Sequence, residues 1–395
     1  LMHHPPKILI VDDTPLNVNL MEQALEELGY QTVSATNGLE ALQQIADAQP
    51  DVMLLDIMMP VMDGFQVLTR VKADKHMRDL PIIVISAVTD MPSIVRGIEL
   101  GADDFLPKPF EPAILRARLS NSLNKKRLHE QEQIVARAME RELEIGREMQ
   151  ADFLPNKLPR VAGWEFAAYF QAARQVAGDF YDVFALSQIH RVGILIGDVS
   201  DKGVGAALYM ALFRTLLRAT IQSDEFGLGA RAESDAARLS ESIRLTNNYV
   251  AGMHGHTSMF ATLFAALLDP ATGTLCYTNQ GHMPPLVLDA RGSKTELGSN
   301  GVPLGMRLRE TIEVRETRIA RGETLLMYSD GITDAQNARK QFLDEIALMN
   351  EIRAFGAHSA SAQIDHIIEM VNAHVGDAPR FDDMTLVAVK RLMGE

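Results

Sequence analysis

Cysteine is almost missing from this chain: Cys276 is the only one in 395 residues, so a framework of internal disulfides is excluded. Long apolar runs are missing too. No stretch reads as a secretory leader or as a segment long enough to span a bilayer, and the expectation is a cytoplasmic protein without a membrane partner. Cations are in the minority, 38 Lys and Arg against 52 Asp and Glu, for a formal net charge of −14. Beyond Lys125-Lys126-Arg127 there is no basic block, which argues against nucleic acid as a partner. No His/Cys cluster falls at ligand spacing, which disfavours zinc. Internal repeats and low-complexity tracts are absent as well.

What the chain does have is carboxylate, placed at the ends of apolar runs. Its length suggests about two to three domains, and the pattern divides it into residues 5–123, a connecting segment over 124–156, and residues 157–395.

In the first part, five short apolar runs, Ile8–Val11, Thr32–Ala35, Val52–Leu55, Ile82–Ile85 and Asp104–Leu106, alternate with segments of helical periodicity. That is the pattern of a doubly wound, flavodoxin-like parallel α/β sheet. In such sheets function gathers beyond the carboxyl ends of the strands. Asp12 and Asp13 follow the first strand, Asp56 the third, Ser86 the fourth and Lys108 the fifth. Three carboxylates brought together repel one another unless a cation intervenes, so Asp12, Asp13 and Asp56 imply bound Mg²⁺. Asp56 is then a candidate nucleophile toward a phosphoryl group, with Ser86 and Lys108 binding the phosphoryl oxygens. Through IVDD, LLDIMMPVMDG, VISA and LPKPF this part resembles the receiver domain of two-component response regulators. The resemblance implies phosphorylation of Asp56 by a histidine kinase, movement of Ser86 and Phe105 on phosphorylation, and a cis peptide at Lys108-Pro109. Phe105 stands where many receivers carry Tyr, so no hydroxyl can signal from that position.

From Pro112 no proline recurs until Pro155, and Lys125 to Met149 is rich in Glu, Arg, Gln and Ala. A continuous or nearly continuous helix is expected. Leu128, Val135, Ile145 and Met149 fall near heptad spacing, while Glu142 and Gly146 interrupt the seam. A homodimer through a coiled-coil linker is the expectation, against a single helix lying on its own domains. Glu144 to Gln150, followed by Phe153-Leu154-Pro155, resembles the lead-in helix of bacterial SpoIIE/RsbU-type phosphatases.

The third part mixes strand runs (Glu165–Phe170, Phe180–Phe184, Gly193–Ile196, Phe260–Leu268, Leu275–Thr278, Leu286–Leu288, Thr324–Tyr328, Thr385–Val389) with helical patterns over Ala206–Ile221, Ala230–Val250 and Ser359–Ala373. Runs of strands broken by helices predict an α+β sandwich. The segments Ser223–Gly229 and Gly292–Gly301 are the expected exposed connections. Acids far apart in sequence, Asp179, Asp198, Asp330, Asp382 and Asp383, each adjoin a strand run and favour an oxygen-rich Mg²⁺ or Mn²⁺ site. VAGDFYDVF, IGDVSDKGVGAAL, SMFATL, TNQGHMPP, YSDGITDA and FDDMTLV, in that order, resemble the PPM family of metal-dependent serine/threonine phosphatases, and most closely its SpoIIE/RsbU branch. The resemblance implies an αββα sandwich and a two-metal site, Mg²⁺ or Mn²⁺. Asp198 would bridge both ions with help from the Val199 carbonyl, Asp330 and Asp382 would hold one of them, Asp179 the other side, and Asp383 would be an alternative to Asp382. It further implies hydrolysis of phosphoserine or phosphothreonine without a covalent intermediate, on a STAS-type anti-sigma-factor antagonist. The expectation is a response regulator with phosphatase output. Its rival is a non-catalytic adaptor that binds a partner through the same fold.

Overall fold

The computed structural model describes residues 5–87, 91–223, 233–254, 259–292 and 294–394. They fall into two compact units, Leu1–Met139 and Glu140–Glu395.

The first unit is a parallel sheet in the order β2-β1-β3-β4-β5, with β1 at Lys7–Val11, β2 at Gln31–Ala35, β3 at Val52–Asp56, β4 at Ile82–Ala87 and β5 at Asp104–Lys108. Its strands read as near-continuous apolar runs because both faces are covered. Leu9, Val11, Met53, Leu55 and Val84 pack on one face against Ala41 and Ile45 of α2 (Gly38–Ala48) and Val67, Leu68 and Val71 of α3 (Gly64–Ala73). Ile8, Ile10, Leu54, Ile83 and Ile85 pack on the other against α1 (Pro15–Glu27) and the first turns of α5, through Met21, Leu25, Leu115 and Leu119. The helix α4 covers Met91–Glu99, and α5 runs unbroken over Pro112–Ala151. Leu128, Val135, Met139 and Met149 are exposed along α5.

The second unit is an αββα sandwich. One antiparallel sheet has the order β13-β10-β9-β8-β7 and the other β12-β11-β14-β15-β6. Their strands are β6 (Trp164–Gln171), β7 (Phe180–Leu186), β8 (Arg191–Val199), β9 (Ala261–Leu268), β10 (Thr274–Gln280), β11 (Leu286–Leu288), β12 (Lys294–Glu296), β13 (Arg315–Arg318), β14 (Thr324–Tyr328) and β15 (Met384–Arg391). The two-residue period of a strand decides which layer each side chain joins. Ile194 and Ile196 of β8 meet Leu325, Met327, Val387 and Val389 of the opposite sheet in the central layer. Leu195 points outward to α6 (Val204–Ile221) and α7 (Asp235–His254). Leu326, Tyr328, Leu386 and Ala388 point the other way, under α9 (Glu345–Ala354) and α10 (Ala360–Val375). A single turn, α8, covers Asp330–Thr333.

Four short elements, β12, β13, the single turn α8 and α9, are not in the sequence expectation. β13 reads Arg-Glu-Thr-Arg and lies at a sheet edge, so it has no apolar alternation to betray it. The connection expected to be exposed over 292–301 contains β12, which pairs with β11 and leaves Thr295 and Glu296 exposed. The helix α9 was not foreseen, since it buries only Leu348 and Ile352. The other connection, 223–229, lies almost wholly outside the described residues. Nor is the chain without a long apolar helix, as α6 has the length and hydropathy of a membrane span. Its inner face, Ala206, Met210, Phe213, Leu217 and Ile221, is nevertheless built into the domain core, and its Arg214 and Arg218 pair with the buried Asp182.

Candidate functional site

Two acidic sites sit at strand ends, one in each unit. In the first, Val11 and Leu55 are in register, so β1 and β3 deliver their next acids to the same crevice. Asp12 is fully buried and accepts the Thr14 backbone N–H at 2.9 Å and the Asn17 Nδ2 at 3.0 and 3.1 Å. From the end of β5, the Lys108 Nζ donates to Asp12 Oδ2 at 2.8 Å and to Asp56 Oδ2 at 2.9 Å. One oxygen from each of Asp12, Asp13 and Asp56 lies within 4.8 Å of the other two. Burial holds the Asp56 carboxyl above its ordinary range, with Lys108 opposing and Asp12 adding to the effect. Burial also works against the Lys108 ammonium, but its bonds to Asp12 and Asp56 prevail and keep it above the usual lysine value. Three converging oxygens of which Asp13 is exposed suit a hard cation that retains water.

The loop after β3 is held close. A Cβ on Gly64 would lie 2.3 Å from the Asp56 carbonyl oxygen, so only glycine lets α3 start there, and Asp63 with Gln66 forms a capping box at that start. Ser86 is buried at the end of β4 and donates to the Ala87 carbonyl at 3.4 Å. Phe105 is half-buried on β5, with the Arg118 guanidinium 5.1 Å from its ring centre. The Lys108-Pro109 peptide is cis.

In the second unit the antiparallel ladder pairs Phe180 with Gly197, which sets Asp179 and Asp198 opposite each other one residue beyond. The other sheet ends β14 at Tyr328 beside Leu386. Ser329 and Thr385 close that end through a backbone bond of 3.0 Å and a second, from the Thr385 N–H to Ser329 Oγ, of 3.0 Å. Asp330 therefore leaves β14 next to Asp382 and Asp383, which lead into β15. Face-to-face packing of the sheets brings the two groups together, and their electrostatics show it. The Asp198 carboxyl is pushed up to about 7, by burial first and then by the charges of Asp330, Asp382 and Asp383. Burial, Asp198 and Asp383 hold Asp179 well above the usual carboxylate range. Asp330 is raised by burial, Asp382 and Asp334, against Lys202. Asp383 is raised by burial, although the Ala173 and Gly178 N–H groups each donate to its carboxylate at 2.8 Å.

Carboxylates raised by one another's charge form a site whose anionic state calls for cations. The donor set, all oxygen and drawn from both sheets, fits a divalent ion such as Mg²⁺ or Mn²⁺. Among the described residues only the Asp12, Asp13 and Asp56 group closes to within 4.8 Å, so the acids of the second unit are more widely spread. The Val199 carbonyl faces this site across Gly178, where a Cβ would stand 2.8 Å from that oxygen and 3.5 Å from Asp198 Oδ1.

Several participants escaped the sequence reading. Lys202 donates to Asp382 Oδ2 at 2.6 Å and to the Phe381 carbonyl at 2.9 Å. The Thr385 hydroxyl donates to Asp179 Oδ2 at 2.6 Å, while Thr14 and Asn17 hold Asp12. Each stands within five residues of a motif acid or in its motif, and that proximity was the available signal. His282 is buried with Nδ1 3.0 Å from Thr262 Oγ1, and burial pushes its pKa down to about 4.

Comparison with known proteins places both units in known families. Residues 188–392, just over half of the chain, match the family described as Stage II sporulation protein E (SpoIIE), and residues 8–120 match the response regulator receiver domain. Protein IcfG of Synechocystis sp. is 40% identical over 265 residues, covering 63% of this chain and 41% of that protein. A probable transcriptional regulator ycf27 of Guillardia theta is 43% identical over 113 residues, 29% of this chain and 43% of its own length. The chain thus spans about two fifths of each of these relatives. Among solved structures, the SiaA-PP2C domain of Pseudomonas aeruginosa aligns with a TM-score of 0.54 at 17% identity, over 65% of this chain and 98% of that one, a likeness of fold. This chain belongs to the SpoIIE family, with a response-regulator receiver domain preceding its PP2C-like phosphatase domain.

Proposed function

We propose that the second unit hydrolyses phosphoserine or phosphothreonine on a partner protein and that phosphorylation of Asp56 controls it. The observation that carries this reading is the meeting of Asp179 and Asp198 from one sheet with Asp330 and Asp382 from the other at one end of the sandwich. Divalent ions bound there would acidify water and polarise a phosphoryl oxygen. Asp198, at the centre of the cluster, would bridge two ions, with the Val199 carbonyl beside it. Asp330 and Asp382 would hold one ion, and Asp179 the opposite side, its carboxylate oriented by the Thr385 hydroxyl. Both oxygens of Asp383 accept backbone N–H groups, and those of Asp382 accept the Asp383 N–H and Lys202, so Asp383 stays the alternative to Asp382 as the ligand. Lys202 orients Asp382.

In the first unit Asp56 would accept the phosphoryl group from a histidine kinase, with Mg²⁺ held by Asp12, Asp13 and Asp56 and the phosphoryl oxygens met by Lys108 and Ser86. The substrate we propose is a phosphorylated STAS-type anti-sigma-factor antagonist, on the strength of the resemblance to the SpoIIE/RsbU branch. The working state is a cytoplasmic homodimer joined through α5.

The test is Mn²⁺-dependent phosphate release from a phosphoserine-bearing STAS protein, for wild type and Asp330→Asn, with and without beryllofluoride on Asp56. Turnover that requires both Mn²⁺ and Asp330 is expected, and the response to beryllofluoride gives the sign of control. No turnover by folded wild-type protein, on a substrate that another PPM phosphatase clears, would favour the non-catalytic adaptor.

A further inference from the structure

Although the chain carries a net charge of −14, the surface beside Asp382 is basic and aromatic. Residues 335–342, which follow α8, hold two cations, Arg339 and Lys340, and no acid. Asn337 closes them into a tight tip: its Oδ1 accepts the Arg339 and Gln341 N–H groups at 2.9 and 3.1 Å, and its carbonyl accepts the Lys340 N–H at 2.8 Å. Lys340 sits in the left-handed region at φ 59°, and Nε2 of His374, on α10, lies 2.9 Å from the Gln341 carbonyl. A tip fixed in this way presents its side chains at little further ordering cost. Arg339 and Lys340 are exposed, and among the described residues neither forms an ion pair. At the base of the tip, Phe342, bridged to Gln336, meets Phe381 edge to face with 6.2 Å between ring centres. The two rings are exposed at 57% and 46%. The Lys202 ammonium stands 4.9 Å from the Phe381 ring centre and reaches Asp382. A continuous strip therefore runs from the acid site through Lys202, Phe381 and Phe342 to Arg339 and Lys340.

We infer that this strip docks the segment of the phosphorylated partner that flanks its phosphoserine or phosphothreonine, and that it selects a segment with an apolar side chain next to the phosphorylated residue and acidic ones beyond. The inference rests on the phosphatase reading of the acid site and adds which phosphoproteins that site accepts. Two large rings held edge to face at the surface offer apolar area that a leucine-sized side chain covers. The cations beyond them attract carboxylates and repel a basic segment. An acidic partner would otherwise be repelled by the carboxylates of the site. Lys202, whose charge also opposes the rise at Asp330, stands between those carboxylates and the rings.

The test measures kcat/KM of the full-length protein with Mn²⁺ on synthetic phosphoserine peptides: one with leucine beside the phosphoserine and glutamates beyond it, one with serine in place of the leucine, and one with lysines in place of the glutamates. Each value is divided by that for an aryl phosphate, which has no flanking residues. Wild type is expected to prefer the peptide with leucine and glutamates. In Arg339→Glu/Lys340→Glu its ratio to the aryl phosphate should fall roughly tenfold, mainly through KM, and the fall should shrink at high salt. In Phe342→Ala the advantage of leucine over serine should fall roughly fivefold. Lys75→Glu/Arg78→Glu, at two exposed cations of the first unit, changes the net charge equally and should leave the ratio within about twofold. Fluorescence anisotropy of the labelled, unphosphorylated peptide with leucine and glutamates reads docking without turnover, and its binding should weaken in Arg339→Glu/Lys340→Glu. An unchanged ratio in the folded tip variant, an equal fall in the first-unit control, or a wild type that prefers lysines overturns the inference. Wild-type protein that turns over neither peptide nor aryl phosphate would instead remove the phosphatase reading, and the anisotropy arm would still decide whether the strip binds an acidic segment.

Discussion

Asp198 has the environment of a group waiting for a positive charge, because burial and three neighbouring acids push its carboxyl up to about 7 from an ordinary 3.8. Without metal, the folded protein at intermediate pH keeps a proton that the unfolded chain has released. That preference stabilises the fold fully below the unfolded value and is lost as pH rises toward 7. Asp179, Asp330 and Asp383 are raised in the same direction. The combined effect at neutral pH is of the order of a few kcal/mol. Chelated protein should accordingly melt at a lower temperature at about pH 7.5 than at about pH 5, and Mn²⁺ added at the higher pH should restore what was lost. Calorimetric melting of wild type and Asp198→Asn checks the assignment. The substitution should flatten the pH dependence and weaken the Mn²⁺ response, and equal slopes in the two proteins would show that Asp198 is not the titrating group. His282 cannot stand in for it, since it is held neutral across this range by burial, with a pKa of about 4.

At the level of elements, glycine positions separate what must be tight from what is free to change. A Cβ on Gly331 would fall 1.9 Å from the Asp383 carbonyl oxygen, where α8 and the start of β15 bring Asp330 beside Asp382. Gly331→Ala should cost about 1–3 kcal/mol of stability through overpacking and raise the Mn²⁺ requirement. Gly205, in the first turn of α6, has open space around it. Gly205→Ala should add about 0.5–1 kcal/mol through helix propensity, so thermal melts of the two variants should move in opposite directions. This contrast also explains what the sequence revealed. Strand ends were readable because an acid following an apolar run is distinctive, and the parallel and sandwich architectures followed from the order of runs. The acids themselves were legible, but not their hydrogen-bond partners: only the fold shows that Asp383 accepts the Ala173 and Gly178 N–H groups while Asp382 accepts the Asp383 N–H and Lys202. β13 and α9 were hidden because edge strands and thinly buried helices carry little periodic signal.

For the whole molecule, the proposed control of the second site by Asp56 needs a physical path. The helix α5 is that path, continuous from Pro112 to Ala151. It carries Leu128, Val135 and Met149 exposed at 61%, 66% and 63%, spaced by seven or by fourteen, with Glu142 at the intervening position. A seam of this kind is stable when two copies pair and each buries the other's apolar positions, and a polar residue within it fixes register at some loss of stability. Replacing Leu128 and Val135 together by glutamate would set like charges across that seam without touching an acid or a ligand-bearing loop. Wild-type protein is expected to sediment as a dimer, and Leu128→Glu/Val135→Glu as a monomer. The doubly substituted protein should keep basal Mn²⁺-dependent turnover within about threefold yet lose its response to beryllofluoride at Asp56, because the helix would then have no partner against which to change its packing. A monomeric wild type, or a monomeric variant that still responds in full, would place the control within one chain and not in helix pairing.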